Sequence, residues 1–144
     1  MKKPPLRAKK HMKGSQIKSK PVNAKTKRKR LEKLLWSLMS QYVRERDNYT
    51  CVTCGRIMID NPGAAHAGHF KHGGLDYCEL NINCQCNGCN TFRNGKLDMY
   101  ASYLGNKYGW GIIDRLEREK NMNQKFTLEE LQELIDYYSS KEVL

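Results

Sequence analysis

A mostly helical α+β domain, with a short cross-linked centre between an N-terminal helix and C-terminal helices, is the fold class predicted by three features of this 144-residue chain. Apolar residues recur at helical spacing over 31–42 and again in stretches between 97 and 138. Residues 51–96 are instead short runs rich in Cys, His, Gly and Asn, too poor in large apolar side chains to fill a core unaided. Two Cys-x-x-Cys pairs, Cys51/Cys54 and Cys86/Cys89, bracket most of that segment.

The chain opens on a tail. The formal charge is +11, yet residues 1–30 hold thirteen Lys and Arg without one acidic residue, so the remainder carries a net charge of −2. Residues 1–26 have few large apolar side chains and read as a disordered basic tail, because they cannot bury enough surface to offset the entropy of ordering. Such a run suits a nucleic-acid backbone, releasing counterions to give salt-dependent, sequence-blind affinity. There is no apolar run of membrane-spanning length, and no apolar segment of a secretory leader follows the basic start. The expectation is therefore a cytoplasmic protein with no membrane partner.

A single domain is expected over 27–144. Its first element is a helix over 27–47, with Leu31, Leu34, Leu35, Leu38, Met39 and Tyr42 along one face. The metal-dependent centre occupies 49–105, and its last part turns helical again, with Leu97, Tyr100, Ala101 and Leu104 on one stripe. Gly105, Gly109 and Gly111 then bend or break the chain, and C-terminal helices fill 109–142, carrying Ile112, Ile113 and Leu116. The last helix is marked at its start: Thr127 with Glu130 forms a capping box, and Phe126 can staple onto Leu131. Leu128, Leu131, Leu134, Ile135 and Tyr138 supply its buried face.

Six cysteines without a secretory leader point to metal before disulfides. Cys51, Cys54, Cys86 and Cys89 form two knuckles, and four thiolates at tetrahedral geometry suit a structural zinc. Cys84 could stand in for Cys86, but its distance from Cys89 is not knuckle spacing; Cys78 and Cys84 are assigned to packing.

Between the knuckles lies AAHAGHFKHGG, with His66, His69 and His72 inside a loop that zinc would pin. A rigidly mounted imidazole is what general-base catalysis requires. The second knuckle sits in LNINCQCNGCN, where asparagines crowd the cysteines. Asn83, Asn87 and Asn94 are assigned to turns and caps.

Taken together, Cys51, Cys54, His69, Asn81, Cys86, Cys89 and Asn90 resemble the HNH, or ββα-metal, nuclease motif. More narrowly, CVTCG, AGHF, LNINCQCNGCN and the following Gly-Lys are similar to the phage NinG/Rap recombination endonucleases, over about 49–116. The resemblance implies a two-stranded hairpin followed by a helix with a metal pocket between them. It implies His69 as general base, Asn81 as the residue tying the catalytic loop together, and Asn90 as ligand to a catalytic Mg²⁺ or Mn²⁺. Relatives often carry an Asp or His immediately before the catalytic histidine; here that position is Gly68, and His66 is the expected substitute ligand. Whether His66 or His69 is the base stays open.

The function this implies is a metal-dependent DNA endonuclease of a phage or prophage, acting in a bacterial host on branched DNA such as Holliday junctions and D-loops. A homodimer would provide the two active sites that symmetric incision needs. The alternatives are a non-catalytic zinc-ordered DNA-binding protein and a sequence-specific HNH duplex nuclease.

Overall fold

A computed structural model describes residues 23–122 and 125–141. Most of the expected tail therefore lies outside the described residues; its last part does not, because the first helix, α1, spans Ala24–Arg46 and so begins ahead of the expected start at 27. The Asn23 side chain sets that start by accepting a hydrogen bond from the Thr26 N–H at 2.8 Å.

The buried stripe of α1 is Leu35, Met39 and Val43, spaced four apart. Leu34, expected on this stripe, is 47% exposed because one residue round the helix turns it away from the core. The stripe packs on α4 (Leu128–Ser140), chiefly on Leu131, Ile135 and Tyr138, and on Ala67 and Ile82 of the hairpin. The α4 capping box is complete: Thr127 Oγ1 accepts from Glu130 N–H at 3.1 Å, and the Glu130 carboxylate accepts from Thr127 N–H at 2.6 Å. Phe126 packs against the same core cluster as Leu131.

The sheet is one antiparallel hairpin, β1 (Ala65–His69) with β2 (Ile82–Cys86). The register sets His66 opposite Gln85 and Gly68 opposite Asn83, so these four share one face. One π-helical turn, Gly88–Phe92, follows β2 and leads toward α2 (Leu97–Tyr108). Gly109, at φ 84°, ends α2, and α3 (Gly111–Glu119) follows. Tyr100, Leu104, Ile112 and Leu116 form a third cluster with Phe70 and Leu75. Leu97 differs from expectation at 49% exposed, because it opens α2 ahead of that helix's first buried contact, Tyr100. No helix among the described residues is long and apolar enough to cross a membrane.

The expected hairpin followed by a helix is thus present, with an unexpected π-helical turn between them and with helices before and after. One buried network holds it together. The Arg46 guanidinium bonds both Asp47 carboxylate oxygens, the Ile82 carbonyl and Asn83 Oδ1, and Asp47 Oδ2 accepts from the Cys84 N–H at 2.7 Å. Asn83 donates to the Tyr100 hydroxyl, which donates to the Gly68 carbonyl at 2.7 Å.

Candidate metal centre and histidine–asparagine site

The first knuckle is a tight turn from Cys51 to Gly55. Gly55 N–H donates to the Cys51 carbonyl at 2.8 Å, with Gly55 at φ 73°, a conformation costly for any residue with a Cβ. Val52 N–H donates to the Cys84 carbonyl at 2.9 Å, docking the knuckle on β2. The second knuckle is the junction of β2 with the π-helical turn, and Cys86 Sγ accepts from the Cys89 N–H.

The four Sγ atoms of Cys51, Cys54, Cys86 and Cys89 all lie within 4.8 Å of one another. A tetrahedron of sulfurs about 2.3 Å from zinc has edges of about 3.8 Å, and the Cys54–Cys86 separation is 3.8 Å. The four cysteines could hold a zinc ion. Cys84 stands outside this group although fully buried beside it. Burial first, then the Asp47 carboxylate, pushes its thiol up to about 12, so it remains a neutral packing group. Cys78 packs at the edge of the Tyr100 cluster. Cys51 behaves oppositely: burial opposes its ionisation, but the Thr53 hydroxyl at 3.2 Å and nearby backbone donors outweigh it, bringing the thiol down to about 6.

The structure also brings His66 and Asn90 together: His66 Nδ1 is 3.2 Å from Asn90 Nδ2, 24 residues on. An amide nitrogen only donates, so Nδ1 accepts, the proton of the neutral ring sits on Nε2, and Asn90 Oδ1 is left unused by the pair. Both residues line a depression of ≈ 420 Å³ with Trp36, Ser40 and Arg44 of α1 and Ala65 and Ala67 of β1.

His69 does not touch Asn90 through a hydrogen bond. Strand alternation turns it from the His66 face, and its ring stacks on Trp36, centroids 5.0 Å apart and planes 17° apart. Trp36 is thus common to both: it carries His69 and lines the depression of His66 and Asn90. His69 Nε2 lies 3.4 Å from the Asp76 carbonyl. A carbonyl only accepts, so that nitrogen holds the proton and Nδ1 keeps the lone pair. Burial holds the His69 pKa below the ordinary value, against the opposing Asp76 carbonyl. His72 lies beside it, exposed, centroids 5.8 Å apart.

Asn81 is fully buried and clamps the loop between the strands: its Oδ1 accepts from Lys71 N–H at 2.8 Å and its Nδ2 donates to the Lys71 carbonyl at 2.9 Å. A larger depression, ≈ 500 Å³, runs from Arg28 and Glu32 past Asp76 to Phe126 and holds no histidine, cysteine or asparagine.

Three contributors went unread in the sequence: Trp36, Arg44 and Gln85. Lys29, Lys33, Trp36, Ser40 and Arg44 recur at helical spacing on α1, a signal legible beside the apolar stripe. Gln85 carried no such signal: it shares one face of β2 with Asn83, and only the register of the hairpin places it opposite His66.

The sequence profile of the family described as "Bacteriophage Lambda NinG protein" matches residues 2–143. The chain is 30% identical over 108 residues to Protein ninG of Escherichia phage 933W and to Protein ninG of Enterobacteria phage VT2-Sa, covering 72% of this chain and 52% of each relative. It is 30% identical over 97 residues to Protein ninG of Enterobacteria phage H19B, covering 64% of this chain and 46% of that one. The chain thus spans about half the length of the curated relatives it matches. No solved structure matches it.

Proposed function

Because this chain belongs to the phage lambda NinG family, we propose that it is a metal-dependent endonuclease hydrolysing phosphodiesters in DNA, with branched recombination intermediates as substrate. One observation carries the reading: Trp36 stacks on His69 while lining the depression that contains the His66–Asn90 pair. His69 lies on the other face of β1 and outside the lining of that depression, so Trp36 is the residue that links the proposed base to the proposed cation ligand. The preference for branches rests on the resemblance of the motif to the NinG/Rap endonucleases, and a homodimer follows from it.

In this reading His69 Nδ1 takes a proton from water. The water oxygen bonds to phosphorus, and the 3′ oxygen leaves with the bonding pair and is protonated from solvent. A divalent cation, Mg²⁺ or Mn²⁺, neutralises charge on the phosphate and leaving oxygen when bound. Asn90 Oδ1 would hold it, oriented by the amide contact to His66. His66, expected as a ligand, is assigned here to positioning, since neither ring nitrogen has a free lone pair in the tautomer its contact requires. Arg44, in the wall of the cleft, is suited to a phosphate.

The test is incubation of zinc-loaded protein with supercoiled plasmid and with a synthetic four-way junction, in Mg²⁺ or Mn²⁺, beside His69→Ala. Wild type is expected to incise the junction, and the variant to lose roughly 10²–10⁴-fold in rate while still binding it. Equal retardation by both without incision in any metal would leave a zinc-ordered DNA-binding protein. Cutting confined to one duplex sequence would point to a sequence-specific nuclease.

Residues 1–22 carry eight of the Lys and Arg of the chain and end before the Asn23 cap. Their deletion is expected to weaken DNA binding and flatten the dependence of log affinity on log salt, leaving cleavage chemistry intact. Binding measured by fluorescence anisotropy across a salt series decides this; an unchanged slope would reduce the segment to a solubilising role.

A further inference from the structure

We propose that the side-chain oxygen of Gln85 is a second protein ligand for the divalent cation at Asn90, an assignment that rests on the nuclease reading above. The Gln85 side chain is wholly buried, and its amide nitrogen donates to the Gly95 carbonyl at 2.7 Å and to the Thr53 hydroxyl at 3.3 Å. Those two bonds fix which end of the carboxamide faces where. The oxygen is then turned toward Gly68, and among the described residues it is the one buried side-chain polar atom with no hydrogen-bond partner. A buried acceptor left unpaired is costly, so its persistence calls for an occupant that supplies positive charge or a proton.

What it faces identifies the occupant. A Cβ built on Gly68 would stand 2.3 Å from Gln85 Oε1 and 2.9 Å from Asn90 Oδ1. The two carboxamide oxygens therefore converge on the same space, kept free of side chain because residue 68 is glycine. Asn90 Oδ1 is free to serve because its amide nitrogen is committed to His66. Two neutral hard oxygens with no competing cation in hydrogen-bond contact suit Mg²⁺ or Mn²⁺, which retain waters and complete their shell with substrate oxygens. The Thr53 contact ties this oxygen to the first zinc knuckle, since Thr53 also meets Cys51 at 3.2 Å. The cysteine cluster thereby helps to set the position of the Gln85 oxygen beneath Gly68.

The experiment uses the full zinc-loaded chain, ¹⁵N-labelled, titrated with MnCl₂. Paramagnetic broadening should erase the side-chain amide signals of Gln85 and Asn90 at substoichiometric Mn²⁺. Those of Gln41 and Gln132, bonded to carboxylates on the exposed faces of α1 and α4, should persist longer. Gln85→Met, which keeps the length but removes the oxygen, should weaken Mn²⁺ binding at least about tenfold by electron paramagnetic resonance, with zinc content unchanged. Survival of the Gln85 signal at saturating Mn²⁺ would overturn the assignment in favour of a buried water, as would wild-type Mn²⁺ affinity in Gln85→Met. Survival of the Gln85 signal is read on the unaltered chain, so the assignment stays open to refutation even if Gln85→Met misfolds. Incision of DNA with an unbroadened Gln85 sinks this assignment alone, whereas broadening without incision upholds the cation site and removes the nuclease reading.

Discussion

Chelation of zinc, or Cys86→Ser, is expected to unfold the centre of the molecule. The cluster beneath the knuckles consists of Cys51, Met58, Ala65, Cys84, Cys86 and Cys89, with Tyr49 and Ala64 half-buried against it, so Met58 is the one large side chain that it buries fully. Burying so little apolar surface stabilises by a few kcal/mol at about 25 cal/mol per Å², which does not offset ordering the two knuckle turns and the strand ends. A structural zinc contributes an apparent 10–16 kcal/mol or so, comparable with the whole stability of roughly 5–15 kcal/mol expected of a domain. Hydrogen exchange should show protection lost first at 51–58 and 82–92, because Cys86 both ends β2 and anchors the turn carrying Asn90. The Leu35–Leu131 side of the core contains no cysteine and should lose protection last. A Cys86→Ser protein with wild-type melting temperature and protection would remove the four-thiolate cross-link as the source of the fold.

The parts of this architecture that were legible in the sequence are those encoded within a few residues. The Thr127–Glu130 box needs one helical turn to form, and it formed as read. The knuckle cysteines are local pairs whose chemistry has few other uses, and all four converge. Amphipathic periodicity located the helices but not the outer edge of each stripe, as Leu34 and Leu97 show, because the edge depends on which neighbour covers it. What stayed hidden is set by register. That Gln85 lies opposite His66, and that Gly68 leaves room for its amide, follow from how β1 pairs with β2 across a twelve-residue loop. A pattern along one strand cannot supply that pairing. The stacking of His69 on Trp36 is of the same kind, joining residues 33 positions apart through the docking of α1 on the hairpin.

Asp47→Ala is expected to destabilise the zinc-loaded protein by roughly 3–5 kcal/mol, the cost of removing one partner from a buried ion pair. Only 7% of the Asp47 side chain and 19% of Arg46 are exposed, with an N–O separation of 2.8 Å. The carboxylate does two jobs: one edge pairs with the guanidinium, and Oδ2 also caps the Cys84 N–H in the middle of β2. Truncation leaves a largely buried cation without its countercharge, although Ile82 and Asn83 still accept from it, and leaves the Cys84 N–H without its acceptor, each penalised on its own. Burial opposes the charge on Arg46, and the Asp47 contact overcomes it to raise the pKa above the usual range; without Asp47 the intrinsic basicity of the guanidinium alone keeps the cation charged, so the loss is not relieved by neutralisation. Asp47→Asn separates the two terms, because its oxygen can still accept from Cys84 while the countercharge is gone; it should fall between wild type and alanine. The damage should reach the cleft, since Arg46 holds Asn83, Asn83 holds Tyr100, and the Tyr100 hydroxyl donates to the Gly68 carbonyl. Urea unfolding with zinc present measures the effect. A loss under about 1 kcal/mol for alanine would mean that Arg46 finds solvent and that this network is peripheral to how α1 positions the hairpin.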